Sequence, residues 1–318
     1  MKKYTFTEKK DTRSGYGAGL LEAAKRNPNV VGLTADLTPS VKMEAFAKEF
    51  PERFVQVGIA EANMMCIAAG MTIGGKIPFA STFANFATSR VYDQVRQSIA
   101  YSAKNVKIAA THAGLTVGED GATHQVLEDI GMMKMLPGMT VVVPCDYNQA
   151  YLATLAAAEH YGPMYLRYGR PTVPNFTSLD ETFELGKGIL LQEGRDVTII
   201  ATGHLVWTAL QAAEELLEKD ISAEVINIHT IKPLDTQLIL ASVLKTGCVV
   251  TVEEHNIIGG LGDSIAHLLT RTVPAPIEML GVKDVFGESG TPQQLLDKHH
   301  LNEAGIIASV QTVLNRKP

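Results

Sequence analysis

The chain has 318 residues, 46% of them hydrophobic and 19% charged, with a formal net charge of -6, a composition that suits a globular protein long enough for two cores. The charge is mild and spread out, without the basic stripe of a nucleic-acid binder, so polyanion partners are excluded and an anionic substrate would have to be met by local cations. No apolar run approaches the ~20 residues of a membrane span and the opening residues lack the apolar core of a secretion signal, so no membrane association and a cytoplasmic location are expected.

Taken in order, residues 16–26 place Leu20, Leu21 and Ala24 at helical spacing, and residues 29–34 are a buried strand that ends in the polar turn Ala35 to Ser40. Residues 41–50 read as a helix, 53–57 as a second strand, and 59–73 as an almost wholly apolar helix with one acid, Glu61, in its first turn. Residues 77–82 give a third strand, followed by Phe83 to Phe86 and a helix through Tyr92, Val95 and Ile99. Residues 106–111 are β-favouring and stop at His112; the polar loop from there to Gln125 contains Glu119, Asp120, His124 and the glycines 114, 118 and 121. Helix 126–135, strand 139–144, Ala-rich helix 147–160 and strand 164–168 complete this half.

Residues 169–186 lack periodicity and carry Pro171 and Pro174, which marks a linker. The second half has strands at 189–192, 197–202, 223–228 and 248–253, alternating with helices at 206–218, 236–244, 261–269 and 303–314. Strand, crossover helix, strand throughout predicts an α/β fold of two parallel-sheet, three-layer domains, at residues 1–175 and 191–318, with residues 176–190 as the linker.

The chemistry is expected at the 112–125 loop, because ligands of open α/β sheets sit beyond the carboxyl ends of the strands. Its glycines allow close backbone approach, and its His, Asp and Glu supply donors, acceptors and a group that titrates near neutrality. Glu61, inside so apolar a helix, either holds a specific donor or is a solvent-facing first-turn acid favoured by the helix dipole. Phe83 and Phe86 are either a small core plug or a platform for an aromatic ligand ring. Arg13, Ser40, His112 and Arg170 would make an oxyanion pocket if the fold gathers them. Cys66, Cys145 and Cys248 have no CxxC spacing and are expected as small core residues. The Gly-rich stretch 259–262 fits neither dinucleotide nor P-loop patterns and reads as a tight strand-to-helix turn, and His299-His300 reads as an exposed pair.

Five motifs together, ADLTPS (35–40), GIAEANM (58–64), STFANF (81–86), THAGLTVGEDGATHQ (111–125) and VEEHNIIGGLG (252–262), resemble in order and spacing the pyrimidine-binding and C-terminal domains of transketolase. The resemblance implies a thiamine diphosphate enzyme that moves a two-carbon ketol unit from a ketose phosphate to an aldose phosphate. It makes Glu61 the acid at N1′ of the cofactor's aminopyrimidine, Phe83 and Phe86 the ring's pocket, and Asp36 a neighbour of the cofactor. His112, Asp120 and His124 would meet sugar hydroxyls and carbonyl, the two histidines moving protons, while Arg13, Ser40 and Arg170 would hold the distal phosphate. In one departure, Ser89 stands where many transketolases have a further aromatic. The family's pattern for the magnesium or other divalent ion that holds the diphosphate is missing, so that site is expected on a separate N-terminal subunit, in a dimer of heterodimers active only when assembled. The runner-up is the β subunit of a 2-oxo acid dehydrogenase E1 component; ADLTPS and GEDGATHQ favour the sugar enzyme. The anion pocket does not separate phosphate from sulfonate.

Overall fold

β-Branched runs alternate with helical stretches along most of the chain, and each strand-helix-strand step crosses back over a sheet. The computed structural model describes residues 4–317; the first three residues of the predicted first domain and the last of the second lie outside them. The strands are β1 (Lys9–Asp11), β2 (Val30–Thr34), β3 (Phe54–Gln56), β4 (Ile77–Phe83), β5 (Lys107–Thr111), β6 (Thr140–Val142), β7 (Met164–Arg167), β8 (Thr172–Pro174), β9 (Ile189–Gln192), β10 (Val197–Ala201), β11 (Ala223–Asn227), β12 (Thr230–Lys232), β13 (Val249–Asn256) and β14 (Ile277–Val282).

Seven of them form one sheet in the order β12-β6-β7-β5-β4-β2-β3, five form a second in the order β14-β13-β10-β11-β9, and β1 pairs with β8. Both large sheets are parallel except at one edge: β12 runs antiparallel to β6 and β9 antiparallel to β11. The expected pair of parallel sheets is therefore present with an antiparallel strand added to each. β12 comes from the second half of the chain yet borders the first sheet, so the two halves are joined by strand pairing.

Several elements differ from expectation for local reasons. The helix expected at 41–50 is confined to Glu44–Glu49, because residues 37–43 close into turns, with Val41 N–H on Leu37 O, Met43 N–H on Thr38 O and Lys42 at φ 62°. The expected helix after Phe86 is broken into short pieces that end in a π-helical run, Val95–Tyr101. The expected helix at 126–135 begins only at Asp129. The aperiodic stretch after residue 168 contains β8, and Phe176 and Thr177 within it are buried with their N–H groups on Asp146 Oδ2 at 2.9 and 2.8 Å. β14 and the helix Pro292–Lys298 had no periodic signal. Among the described residues no helix is long and apolar enough to cross a membrane.

Where the halves meet, apolar packing surrounds one buried ion pair. Arg167, at the end of β7, donates from Nε to Asp129 Oδ2 at 2.7 Å and from Nη2 to Asp129 Oδ1 at 3.2 Å, and Tyr165 Oη adds a bond to Oδ2 at 2.6 Å. Burial alone would raise the Asp129 carboxyl, but the Arg167 cation outweighs it and holds the acid below its usual range. Removing one partner strands the other charge, so Arg167→Met should cost about 3–5 kcal/mol in urea unfolding, and Arg167→Met combined with Asp129→Leu should recover most of that loss. A single substitution as mild as the double would show that the pair carries no such penalty.

Candidate active site

The first sheet changes direction between β2 and β4, since β2 leads to β3 on one side and β4 leads to β5 on the other. The carboxyl ends of such a pair open a crevice. Asp36 follows β2, Glu61 follows β3, Phe83 ends β4 with Phe86 in the short helix after it, and the loop from His112 follows β5.

One wall is aromatic and acidic. Glu61 opens the helix Glu61–Met71 and is 5% exposed, so of the two readings the solvent-facing one is set aside. Its Oε1 accepts from Arg90 Nη1 at 3.0 Å, while Oε2 has no protein partner among the described residues. The Arg90 guanidinium lies over the Phe86 ring, 3.9 Å from its centroid, a cation–π arrangement. Phe83 and Phe86 are half-buried and nearly parallel, with centroids 5.7 Å apart, and His124 meets Phe86 edge-on at 5.4 Å.

The other wall is cationic. Arg13 reaches the Ser40 carbonyl at 3.0 Å, the Arg170 carbonyl at 3.1 Å and His112 Nε2 at 3.3 Å, so the fold gathers all four residues of the anticipated oxyanion pocket. Arg170 donates to the Val117 carbonyl and pairs with Glu119 at 3.2 Å, which ties this wall to the 112–125 loop. His112 joins the two walls: its ring stacks on Phe83 with centroids 3.8 Å apart, and its φ of 58° turns the chain sharply out of β5. A guanidinium only donates, so Nε2 is the acceptor and the ring proton sits on Nδ1, 2.9 Å from Thr111 Oγ1. Asp36 and Asp120 are exposed at the mouth of the crevice.

Three contributors carried no sequence signal that was read. Gln56 Oε1 accepts the N–H groups of Asp36 and Gly58 at 2.7 and 3.1 Å and so ties the turn after β2 to the turn after β3. Asn85 Nδ2 donates to the Thr123 carbonyl at 2.6 Å, beside His124. Arg90 was legible in principle, being one helical turn beyond Phe86. Cys66 is a correction: it is exposed, whereas Cys145 and Cys248 are buried. Only one side of its helix, with Met64, Met65, Ala68 and Ala69, packs on the sheet, and the opposite side carries Ala62, Asn63, Cys66 and Gly70 in the open. Among the described residues no group of three or more His, Cys, Asp or Glu is placed to hold a metal ion.

Residues 8–175 match the family model described as transketolase, pyrimidine binding domain, and residues 186–306 match that described as transketolase, C-terminal domain. The chain belongs to the transketolase family. It is 44% identical over 311 residues to a Methanocaldococcus jannaschii protein named for the C-terminal section of transketolase, covering 97% of this chain and 98% of that one. It is 43% identical to the 6-deoxy-6-sulfo-D-fructose transketolase subunit of Clostridium sp. (strain MSTE9), covering 96% and 95%. A solved structure described as a split gene transketolase, inactive beta4 tetramer, superposes with a TM-score of 0.92 at 49% identity and covers 97% of this chain and 99% of that one. The transketolase resemblance of the five motifs is thus borne out at the level of family and fold.

Burial, then the neighbouring Arg13 and Arg170 charges, push the His112 imidazole down to about 3, and burial pushes His229 down to about 4. Both are therefore neutral in the folded transketolase chain at neutral pH, while each takes up a proton on unfolding below its ordinary value of about 6.5. The unfolded chain binds more protons through that window, so stability is intact above about pH 6.5 and falls as the pH drops toward 4. His112→Gln, measured by urea unfolding at several pH values, should lessen that acid loss; an unchanged pH slope would contradict a buried neutral His112.

Proposed function

We propose that this chain is the C-terminal subunit of a two-chain, thiamine diphosphate-dependent transketolase that moves a two-carbon ketol unit from a ketose phosphate to an aldose phosphate. In this reading residues 1–175 are the pyrimidine-binding domain, 176–190 the linker and 191–318 the C-terminal domain. The observation that carries it is the placement of a buried acid with one uncommitted oxygen beside two parallel phenylalanines, across a crevice from a cluster of cations. These residues fit the ring end of the cofactor. Glu61 would meet N1′ through its uncommitted oxygen, with Phe83 and Phe86 against the ring and Asp36 nearby. When bound, the cofactor supplies the carbon nucleophile that carries the two-carbon unit.

The chain's own side chains do the rest. Glu61, buried beside the aromatic wall, would hold or exchange a proton with the ring nitrogen of the bound cofactor. Phe83 and Phe86 exclude water. Arg13 and Arg170, with Ser40, orient the anionic tail of the sugar, and Asp120 meets its hydroxyls. His124 and His112 serve the reacting carbonyl and hydroxyl, His112 as a neutral hydrogen-bonding group, because its surroundings keep it uncharged.

A partner chain carrying the diphosphate and the divalent metal, in a dimer of heterodimers, is the assembly we infer. It is supported by the relatives of matching length and by the uncovered, mostly small-residue side of the helix Glu61–Met71, flanked by Ile59 and Ile73 at 78% and 77% exposure. A cytoplasmic location accompanies this reading.

Ketol transfer by the chain assembled with its partner, cofactor and magnesium tests the proposal directly. Glu61→Gln in that assembly should lower kcat by about 10²–10⁴-fold while leaving complex size unchanged. Undiminished turnover in the variant, or decarboxylation of a 2-oxo acid in place of ketol transfer by the wild type, would overturn it.

A further inference from the structure

The second sheet has its own change of direction, between β10, which leads to β11 on one side, and β13, which leads to β14 on the other. An open α/β sheet offers a ligand crevice at such a point. Here the residues at that point are His204, just beyond β10, and Glu253 and Glu254 toward the end of β13, both acids being buried. Glu253 turns inward and accepts the N–H groups of Leu261 and Gly262 at 2.7 and 2.8 Å, at the start of the helix Leu261–Arg271.

Glu254 reaches out of its own domain. Its Oε1 accepts the Thr116 N–H at 2.6 Å, its Oε2 lies 2.7 Å from His204 Nε2, and its backbone carbonyl receives Arg167 Nη2 at 3.0 Å. Thr116 belongs to the loop that carries His112, Asp120 and His124. Burial would raise the Glu254 carboxyl, but His204, Arg167 and the Thr116 N–H outweigh it and hold it in its charged form. The fit is close: at Gly114, with φ at 84°, a Cβ would collide with the Glu254 carboxyl group. A second tie lies farther along the loop, where Gln125 Nε2 donates to the carbonyls of Leu115 at 3.2 Å, Gly118 at 2.9 Å and, from the C-terminal domain, Glu288 at 2.9 Å.

We propose that the crevice of the C-terminal domain has the 112–125 loop of the first domain as its permanent occupant, and that Glu254 is a positioning residue that holds His112, Asp120 and His124 in working geometry without touching substrate. A charge-assisted bond from a buried carboxylate to a backbone amide fixes the main chain itself. The loop needs such a hold, because it contains Gly114, Gly118 and Gly121, all at positive φ, and glycine loses more freedom than any other residue on being ordered. The inference rests on the proposed reading of this loop as the substrate loop.

Amide hydrogen exchange and steady-state kinetics on the two-chain assembly test it together. Glu254→Ala should speed exchange across residues 114–125 by about tenfold or more while β5 and β10 keep their protection. The same variant should lose about tenfold or more in kcat/KM for the ketose while cofactor Kd stays within about twofold, because the pyrimidine wall stands on other strands. Glu254→Gln retains an oxygen for the Thr116 amide and should restore most of both losses. Unchanged loop exchange in Glu254→Ala would overturn the proposal, as would faster exchange in every strand with cofactor affinity falling in step. Should Glu254→Ala fail to fold, His204→Ala removes one support of the carboxylate and should move the loop in the same direction by less; no movement there also overturns it. If the wild-type assembly transfers no ketol unit, the functional reading fails, and the exchange measurement still decides whether Glu254 holds the loop.

Discussion

A buried guanidinium fixes the frame of this molecule. Arg167 stands at the end of a central strand of the first sheet, grips Asp129 with two nitrogens and reaches the backbone of Glu254 in the second domain with one of them. A charge that deep tolerates little drift, since each lost bond leaves it poorly compensated in a medium that solvates it badly. Helix Asp129–Met135, strand β7 and strand β13 are consequently held to one mutual placement, and the ends of both sheets face the same seam.

On that frame the crevice is divided by chemistry. Aromatic faces and one buried acid line one side, and two arginines with backbone carbonyls line the other. His112 belongs to both, stacked on Phe83 and bonded to Arg13. Its neutrality follows from the company it keeps, since a second cation there would be repelled by Arg13 and disfavoured by burial.

Much of this was legible in the residues. The alternation of strands and helices foretold two sheets, and the abrupt polar stop at His112 foretold where the crevice would open. What escaped notice has physical causes. β12 is three residues long and pairs across the domain boundary, so nothing local marks it. The expected strand 248–253 stops short of the end of β13, which continues through Glu254, His255 and Asn256, because the burial of Glu254 depends on a partner far away in sequence. Cys66 was misjudged because a helix so rich in apolar residues gives little clue to which side the sheet will cover. Gln56 acts through side-chain bonds to two backbone N–H groups, and such contacts have no period to detect.

The helix Leu261–Arg271 begins, after a glycine-rich turn, in the form that elsewhere invites a phosphate. Here the chain has filled that invitation with its own Glu253, and a Cβ on Gly260 would already strike the carboxylate. A free anion arriving at this helix would have to evict a covalently tethered rival and then leave a negative charge homeless in the interior. Competition of that kind is lopsided, so dissolved phosphate has little purchase on the start of this helix.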